Sequence, residues 1–302
     1  MNPQPHDASP DRTHQRLRDT LRTTFPGATD CHAHVIGPTA RYPFAATRTY
    51  TPADAPYPAW RAMLEDLGLA RGVIIQGSFH GTDNRCTLDA LAEGGAMARA
   101  IVCAPTTASA AELAALRRPG VSGLRITFAE AGQDFAAIAN DRAALDTQAA
   151  TVAAMARSHG FHLQLFQHPP AWPVLLPRLV DAGVSWVVDH LGMVPASEGV
   201  SAPAFRAIVA ALACGRGWVK LSGFYRLSQQ PGWADVAPMV RALAEAAPER
   251  CVWGSDWPHT GMDTPVATHQ TLDVLLDWIT DPALRRAILV DNPARLYGYP
   301  PA

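Results

Sequence analysis

The chain has 302 residues, a formal net charge of −2, 48% hydrophobic residues and 17% charged residues. That balance supplies a sizeable buried core and gives no basic surface for nucleic acid or an anionic membrane. Residues 1–19 are polar and lack the apolar centre of a secretory signal, and no apolar stretch is long and charge-free enough to span a bilayer. The five cysteines, Cys31, Cys86, Cys103, Cys214 and Cys251, are odd in number and include no C-x-x-C pair, which argues against a disulfide framework or a zinc knuckle. The expectation is a cytoplasmic protein, monomer or homodimer.

Residues 1–25 read as an N-terminal extension, mobile or packed on the surface, and 26–302 as one domain. Eight short apolar runs read as strands: Ala28 to Val35, Gly72 to Gln76, Ala100 to Ala104, Gly123 to Phe128, His162 to Phe166, Trp186 to His190, Trp218 to Ser222 and Cys251 to Trp257. Several are almost wholly apolar, as parallel strands covered on both faces are. Between them lie Ala/Leu-rich segments of helical character: Thr87 to Ala92, Ala110 to Leu116, Arg142 to Ser158, Ala202 to Cys214 and Val236 to Ala247. Ser109 stands where a helix N-cap is expected, with Glu112 placed to complete a capping box. Eight strand–helix units in roughly 270 residues predict an α/β fold of the (β/α)8 TIM-barrel type. A doubly wound open sheet is the competing architecture, but no G-x-G-x-x-G or Walker A sequence supports a nucleotide site.

Three polar clusters close three of these strands. Asp30-Cys31-His32-Ala33-His34 follows the first, Asp189-His190 the sixth and Gly254-Ser255-Asp256-Trp257-Pro258-His259 the eighth. Two histidines at i and i+2 on an extended segment face the same way. Side chains at the C-terminal ends of barrel strands meet at one mouth, where barrel enzymes carry their active sites.

These clusters, with Tyr42-Pro43-Phe44, Tyr50-Thr51-Pro52, the stretch from Gln76 to Asn84 and Asn292-Pro293-Ala294-Arg295-Leu296-Tyr297, resemble the amidohydrolase superfamily. Within it they are most similar to the branch of lactone hydrolases that includes the 2-pyrone-4,6-dicarboxylate lactonases and 4-sulfomuconolactone hydrolases. The resemblance covers nearly the whole chain after residue 25. It implies an amidohydrolase-type barrel that opens a small anionic lactone in aromatic-compound catabolism. It also implies departures from the dicarboxylate lactonases. Met193 stands where an arginine is expected, Phe166 where a tyrosine is, and Gly261 near an expected asparagine. Phe128 to Gly132 offers no counterpart to another arginine. Fewer cationic groups imply a substrate with one fewer anionic group, or a different one.

The expected roles follow. Asp256 is the general base that takes a proton from water. His32, His34 and His190 polarise the lactone carbonyl, directly or through a metal. Arg125, a charge within an apolar strand, and Arg226 hold the substrate carboxylate. Ser78, His80, Tyr50 and His259 are further substrate-facing candidates. The expectation is that no cofactor is required. If a single zinc is bound, its ligands are drawn from His32, His34, His190, Asp256 and His168. His162, at the start of its strand, reads as a core residue, and Trp253 and Trp257 as packing. Other readings are a sugar-acid lactonase or lactone isomerase, a metal-dependent decarboxylase of the same superfamily, and a non-catalytic barrel that binds a small anion.

Overall fold

Strand and helix alternate along the computed structural model, which describes residues 10–126 and 140–302. The strands are β1 Thr29–Ala33, β2 Arg71–Ile75, β3 Ala98–Cys103, β4 Val121–Ile126, β5 His162–Leu165, β6 Trp186–Val188, β7 Gly217–Leu221 and β8 Cys251–Trp253. They pair in parallel and in sequence order from β1 to β8. The helix Ala110–Leu116 has the bounds expected of it and the capping box as well: the Ser109 hydroxyl accepts from the Glu112 amide at 3.3 Å, and Glu112 accepts from the Ser109 amide at 2.7 Å. The expected end of the fourth strand, Thr127 and Phe128, lies outside the described residues, as does the rest of Phe128 to Gly132.

The seam between β8 and β1 matters most for function. The expected first and eighth strands are longer than β1 and β8. Beyond Ala33 and Trp253 the chain leaves regular pairing and is held by single backbone bonds. Asp256 N donates to the His32 carbonyl at 2.8 Å, and His34 N donates to the Trp257 carbonyl at 2.8 Å. Asp30 ties the same seam. Its Oδ1 accepts from the backbone amides of His32 and Ser255 at 3.0 and 2.9 Å, and its Oδ2 accepts from Ser255 Oγ at 2.5 Å. Gly254 permits this closeness, because a Cβ there would lie 2.6 Å from that of His32. The bonds that draw the two ends of the sheet together thus also set His32 and His34 beside Asp256.

One large apolar cluster lies between the barrel and its helices, and a smaller one faces the barrel axis: Cys31, Val73, Ile75, Ile101, Val187, Trp218 and Val252. Tyr299 closes the lower end of the latter, its hydroxyl donating to the carbonyl of Gly72 at the start of β2 at 2.8 Å. Asp189 and Lys220 stand two residues beyond Val187 and Trp218, and Arg125 and Gln164 two residues beyond Gly123 and His162, all four buried. Barrel interiors are normally layers of branched apolar residues. Here an apolar floor carries a charged layer, and the histidines lie above it. Residues 10–24 form a helix whose Leu17 and Leu21, with the following Phe25, are buried in the larger cluster. Among the described residues, no helix is long and apolar enough to cross a membrane.

Candidate active site

Three imidazoles converge on one carboxylate oxygen. Asp256 Oδ1 is 3.7 Å from His32 Nε2, 3.9 Å from His34 Nε2 and 3.8 Å from His190 Nε2. These gaps are too long for direct hydrogen bonds and leave room for one shared atom. The other oxygen, Oδ2, accepts from Tyr225 OH at 2.5 Å and from Arg226 Nε at 2.7 Å. The carboxylate is therefore gripped on one side and presented on the other. Burial alone would raise its pKa, but Arg226 and then the imidazoles outweigh this and hold the carboxyl well below its usual range. It is ionised at neutral pH.

Each imidazole is aimed by a partner behind it. His34 Nδ1 lies 2.8 Å from the Ile75 carbonyl, and His190 Nδ1 lies 2.8 Å from Ser222 Oγ. His32 Nδ1 faces Asp189 Oδ1 at 3.4 Å and Lys220 Nζ at 3.3 Å. His190 and Asp256 have φ of 51° and 63°, a left-handed backbone that non-glycine residues adopt only where the surroundings enforce it. Gly223 follows suit at φ 64°, where a Cβ would come within 2.9 Å of His190 Nδ1.

Burial lowers all these imidazole pKa values, His34 to about 3. It also takes His162 to about 3 and His259 to about 4. Each is neutral when folded and takes up a proton on unfolding below 6.5. Its contribution to stability is full above that pH and is lost as the pH falls toward the folded value. Asp30, pushed up by burial to about 6, has the opposite sign: its contribution is full below 3.8 and lost as the pH rises through about 6. Five such imidazoles against one carboxyl predict a melting temperature that falls steadily from pH 7 to pH 4. A flat or rising Tm over that range in scanning calorimetry contradicts this assignment of charge states.

The remaining expected site residues divide. Arg125 is 8% exposed, donates from Nη1 to the Gln76 carbonyl at 3.0 Å and keeps a buried Nε that lies 3.8 Å from Asp189 Oδ2 with no hydrogen-bond partner among the described residues. Its guanidinium lies 5.5 Å from the Phe166 ring centroid, so the phenylalanine in place of a tyrosine forms an apolar wall beside it. Arg226 is committed to the protein: beyond Asp256, its Nη2 donates to the Thr260 carbonyl at 2.9 Å. Tyr50 OH is 3.1 Å from Thr260 Oγ1, which places the ring close to Arg226. His80 is buried and stacks on Phe44 at 5.3 Å, and Ser78 is exposed on the loop after β2. His259 has both ring nitrogens engaged, Nδ1 with Tyr225 OH at 3.2 Å and Nε2 with Thr268 Oγ1 at 2.9 Å. It buttresses Tyr225. His168 is exposed and belongs to neither of the two groups of metal-ligand type among the described residues, His32/His34/Asp256 and His32/Asp189/His190. His162 and Trp253 are buried as expected.

Sequence reasoning missed Tyr225, Lys220, Gln164 and Ser222, and it quoted Asp189 without a role. Lys220 had a signal: it is a charge within the apolar run Trp218-Val219-Lys220-Leu221, the same pattern that singled out Arg125. Tyr225 had none beyond its neighbour Arg226.

The chain was compared with known proteins. It is 36% identical to a 4-sulfomuconolactone hydrolase of Rhizobium radiobacter, an alignment that spans 90% of both proteins. It is 32% identical to a D-galactarolactone isomerase of Agrobacterium fabrum over 92% of this chain and 93% of that one. A crystal structure from Pseudomonas putida, provisionally described as a 2-pyrone-4,6-dicarboxylic acid hydrolase, superimposes with a TM-score of 0.78 at 32% identity, covering 90% of this chain and 98% of that one. The Amidohydrolase family profile matches residues 29–299. With the barrel and its three polar strand ends, this match establishes that the chain belongs to the amidohydrolase family.

Proposed function

We propose that the protein hydrolyses a small carboxylated lactone, muconolactone-like or pyrone-type, by attack of water on the ring carbonyl. The observation that carries this reading is the convergence of three imidazole Nε2 atoms on the free oxygen of Asp256, with a buried arginine whose Nε makes no hydrogen bond among the described residues. The hydrolases among its relatives support the substrate class.

A water at Asp256 Oδ1 gives a proton to the carboxylate as its oxygen bonds to the lactone carbon. The carbonyl electrons move onto oxygen, where an imidazole N–H in a water-poor pocket stabilises the charge. Collapse breaks the ring C–O bond, and Asp256 returns the proton to the departing alkoxide. Tyr225 and Arg226 hold Oδ2, so Asp256 meets the water in one orientation. In this reading Arg226 acts on Asp256, and Arg125 holds the substrate carboxylate and orients the ring.

The donor set also fits a divalent cation. Ligands of a tetrahedral zinc at ~2.1 Å lie about 3.4 Å from one another, close to the spacings found around Asp256 Oδ1, and His32 Nε2 is buried without a hydrogen-bond partner among the described residues. His32, His34, His190 and Asp256 would hold the ion, which would polarise the carbonyl and lower the pKa of water. The reading keeps this ion non-essential. The resemblance expects a further ligand at the end of β5, where this chain has Phe166, with His168 exposed just past it. Activity is therefore expected to survive dialysis against a chelator, checked by elemental analysis and rate on the same sample. An inactive metal-free protein that zinc restores would make His32, His34 and Asp256 ligands.

Screening purified protein against carboxylated butenolides, pyrone-4,6-dicarboxylate and sugar lactones tests the main reading, with ring opening expected for at least one anionic lactone. The relative that is an isomerase favours a second reading, in which the product is a shifted lactone and no acid is released. Proton release on turnover separates the two.

A further inference from the structure

We propose that Lys220 is a positioning residue that fixes His32 with its proton on Nε2, so that His32 faces the substrate as a hydrogen-bond donor. The catalytic consequence rests on the lactone-hydrolase reading; the tautomer does not. Lys220 is fully buried in β7. Its Nζ lies 2.7 Å from Gln164 Oε1, 3.4 Å from Asp189 Oδ1 and 3.3 Å from His32 Nδ1. An ammonium has three protons and no lone pair; here it donates to Gln164, is ion-paired with Asp189 and meets His32 Nδ1. The third can accept only if Nδ1 carries the lone pair, and a neutral imidazole then carries its proton on Nε2.

The Gln164 amide agrees with this direction. Gln164 turns its oxygen to the ammonium and its Nε2 to Asp189 Oδ2, at 3.1 Å. Asp189, fully buried, supplies the charge that keeps a lysine ionised inside the barrel. His34 receives the opposite instruction. Its Nδ1 meets the Ile75 carbonyl, which only accepts, so the His34 proton sits on Nδ1 and its Nε2 offers a lone pair. Two histidines one strand-repeat apart are thus set as one donor and one acceptor toward the same point beside Asp256. A protonated Nε2 cannot ligate a metal. Lys220 thereby biases a cluster with metal-ligand geometry toward hydrogen-bond catalysis, and its loss should release His32 to donate from Nδ1 to Asp189 Oδ1, 3.4 Å away.

Long-range proton–nitrogen spectra of chelator-dialysed protein labelled with 15N-histidine read the tautomers without substrate, with His32→Gln to assign the resonance. Wild-type His32 is expected to carry its proton on Nε2 and His34 on Nδ1. In Lys220→Met the His32 proton should move to Nδ1, zinc affinity by competition titration should rise at least about tenfold, and kcat should fall about 100-fold with little change in KM, the scale of a lost oxyanion donor. A wild-type His32 protonated on Nδ1 overturns the proposal, and this holds even if the variant does not fold. An unchanged tautomer and unchanged zinc affinity in a folded Lys220→Met protein also overturn it. If no lactone is turned over, the spectra and the zinc titration still decide, so failure of the lactonase reading is distinct from failure of this one.

Discussion

Asp256→Asn is expected to lower kcat/KM for lactone hydrolysis by at least about 100-fold, the scale of a lost general base, while leaving the fold in place. The carboxamide has the shape of the carboxylate. Its oxygen would remain with Tyr225 and Arg226, which both donate to Oδ2. The amide nitrogen would then replace Oδ1 and face the three imidazoles, where it cannot accept a proton from water. Arg226 would lose its ion pair at 2.7 Å, so some loss of stability is expected as well. Steady-state kinetics with the best lactone from the screen, alongside a thermal melt to establish folding, measure both. Near wild-type turnover by a folded variant would remove Asp256 from the mechanism.

Arg125→Met is expected to raise KM for an anionic lactone by the equivalent of roughly 1.5–3 kcal/mol, the value of a hydrogen bond to a charged group, with a smaller effect on a neutral analogue. The guanidinium is buried, bonds to the Gln76 carbonyl, and carries an Nε that lies 3.8 Å from Asp189 Oδ2 and has no hydrogen-bond partner among the described residues. A buried donor without a hydrogen bond is unfavourable until an acceptor meets it. Met193, placed where the resembling lactonases have an arginine, is half-buried and packs against the core, so it supplies no second charge. Arg226 is occupied by Asp256. The pocket should therefore prefer a lactone with one strongly held carboxylate. The informative comparison is kcat/KM for a monocarboxylated butenolide, pyrone-4,6-dicarboxylate and a neutral sugar lactone, on wild type and variant. If the pyrone dicarboxylate is much the best substrate, the argument from the missing arginine fails. If the neutral lactone wins and Arg125→Met is silent, Arg125 is structural.

The sequence by itself determined the barrel and the centre of its site. Strands are local statements: apolar runs such as Trp186-Val187-Val188 bounded by Gly, Pro and polar residues need no tertiary knowledge. The capping box at Ser109 is equally local. His32, His34, His190 and Asp256 were legible because each follows a strand, and a closed parallel barrel brings all strand C-termini to one mouth whatever its finer geometry. What each of these groups touches was decided only by the tertiary structure. Lys220 and His32 are 188 residues apart, and their contact depends on the stagger of β7 against β1 across the seam. Tyr225 and Arg226 reach Asp256 from the short helix Phe224–Leu227 that follows β7, and His259, beyond β8, meets Tyr225 there. The helix over 10–24 was also left undecided, since its three apolar anchors gain their burial from a surface assembled by the barrel. Periodicity reports which face a side chain takes; partner, tautomer and charge follow from distances that only the closed barrel sets.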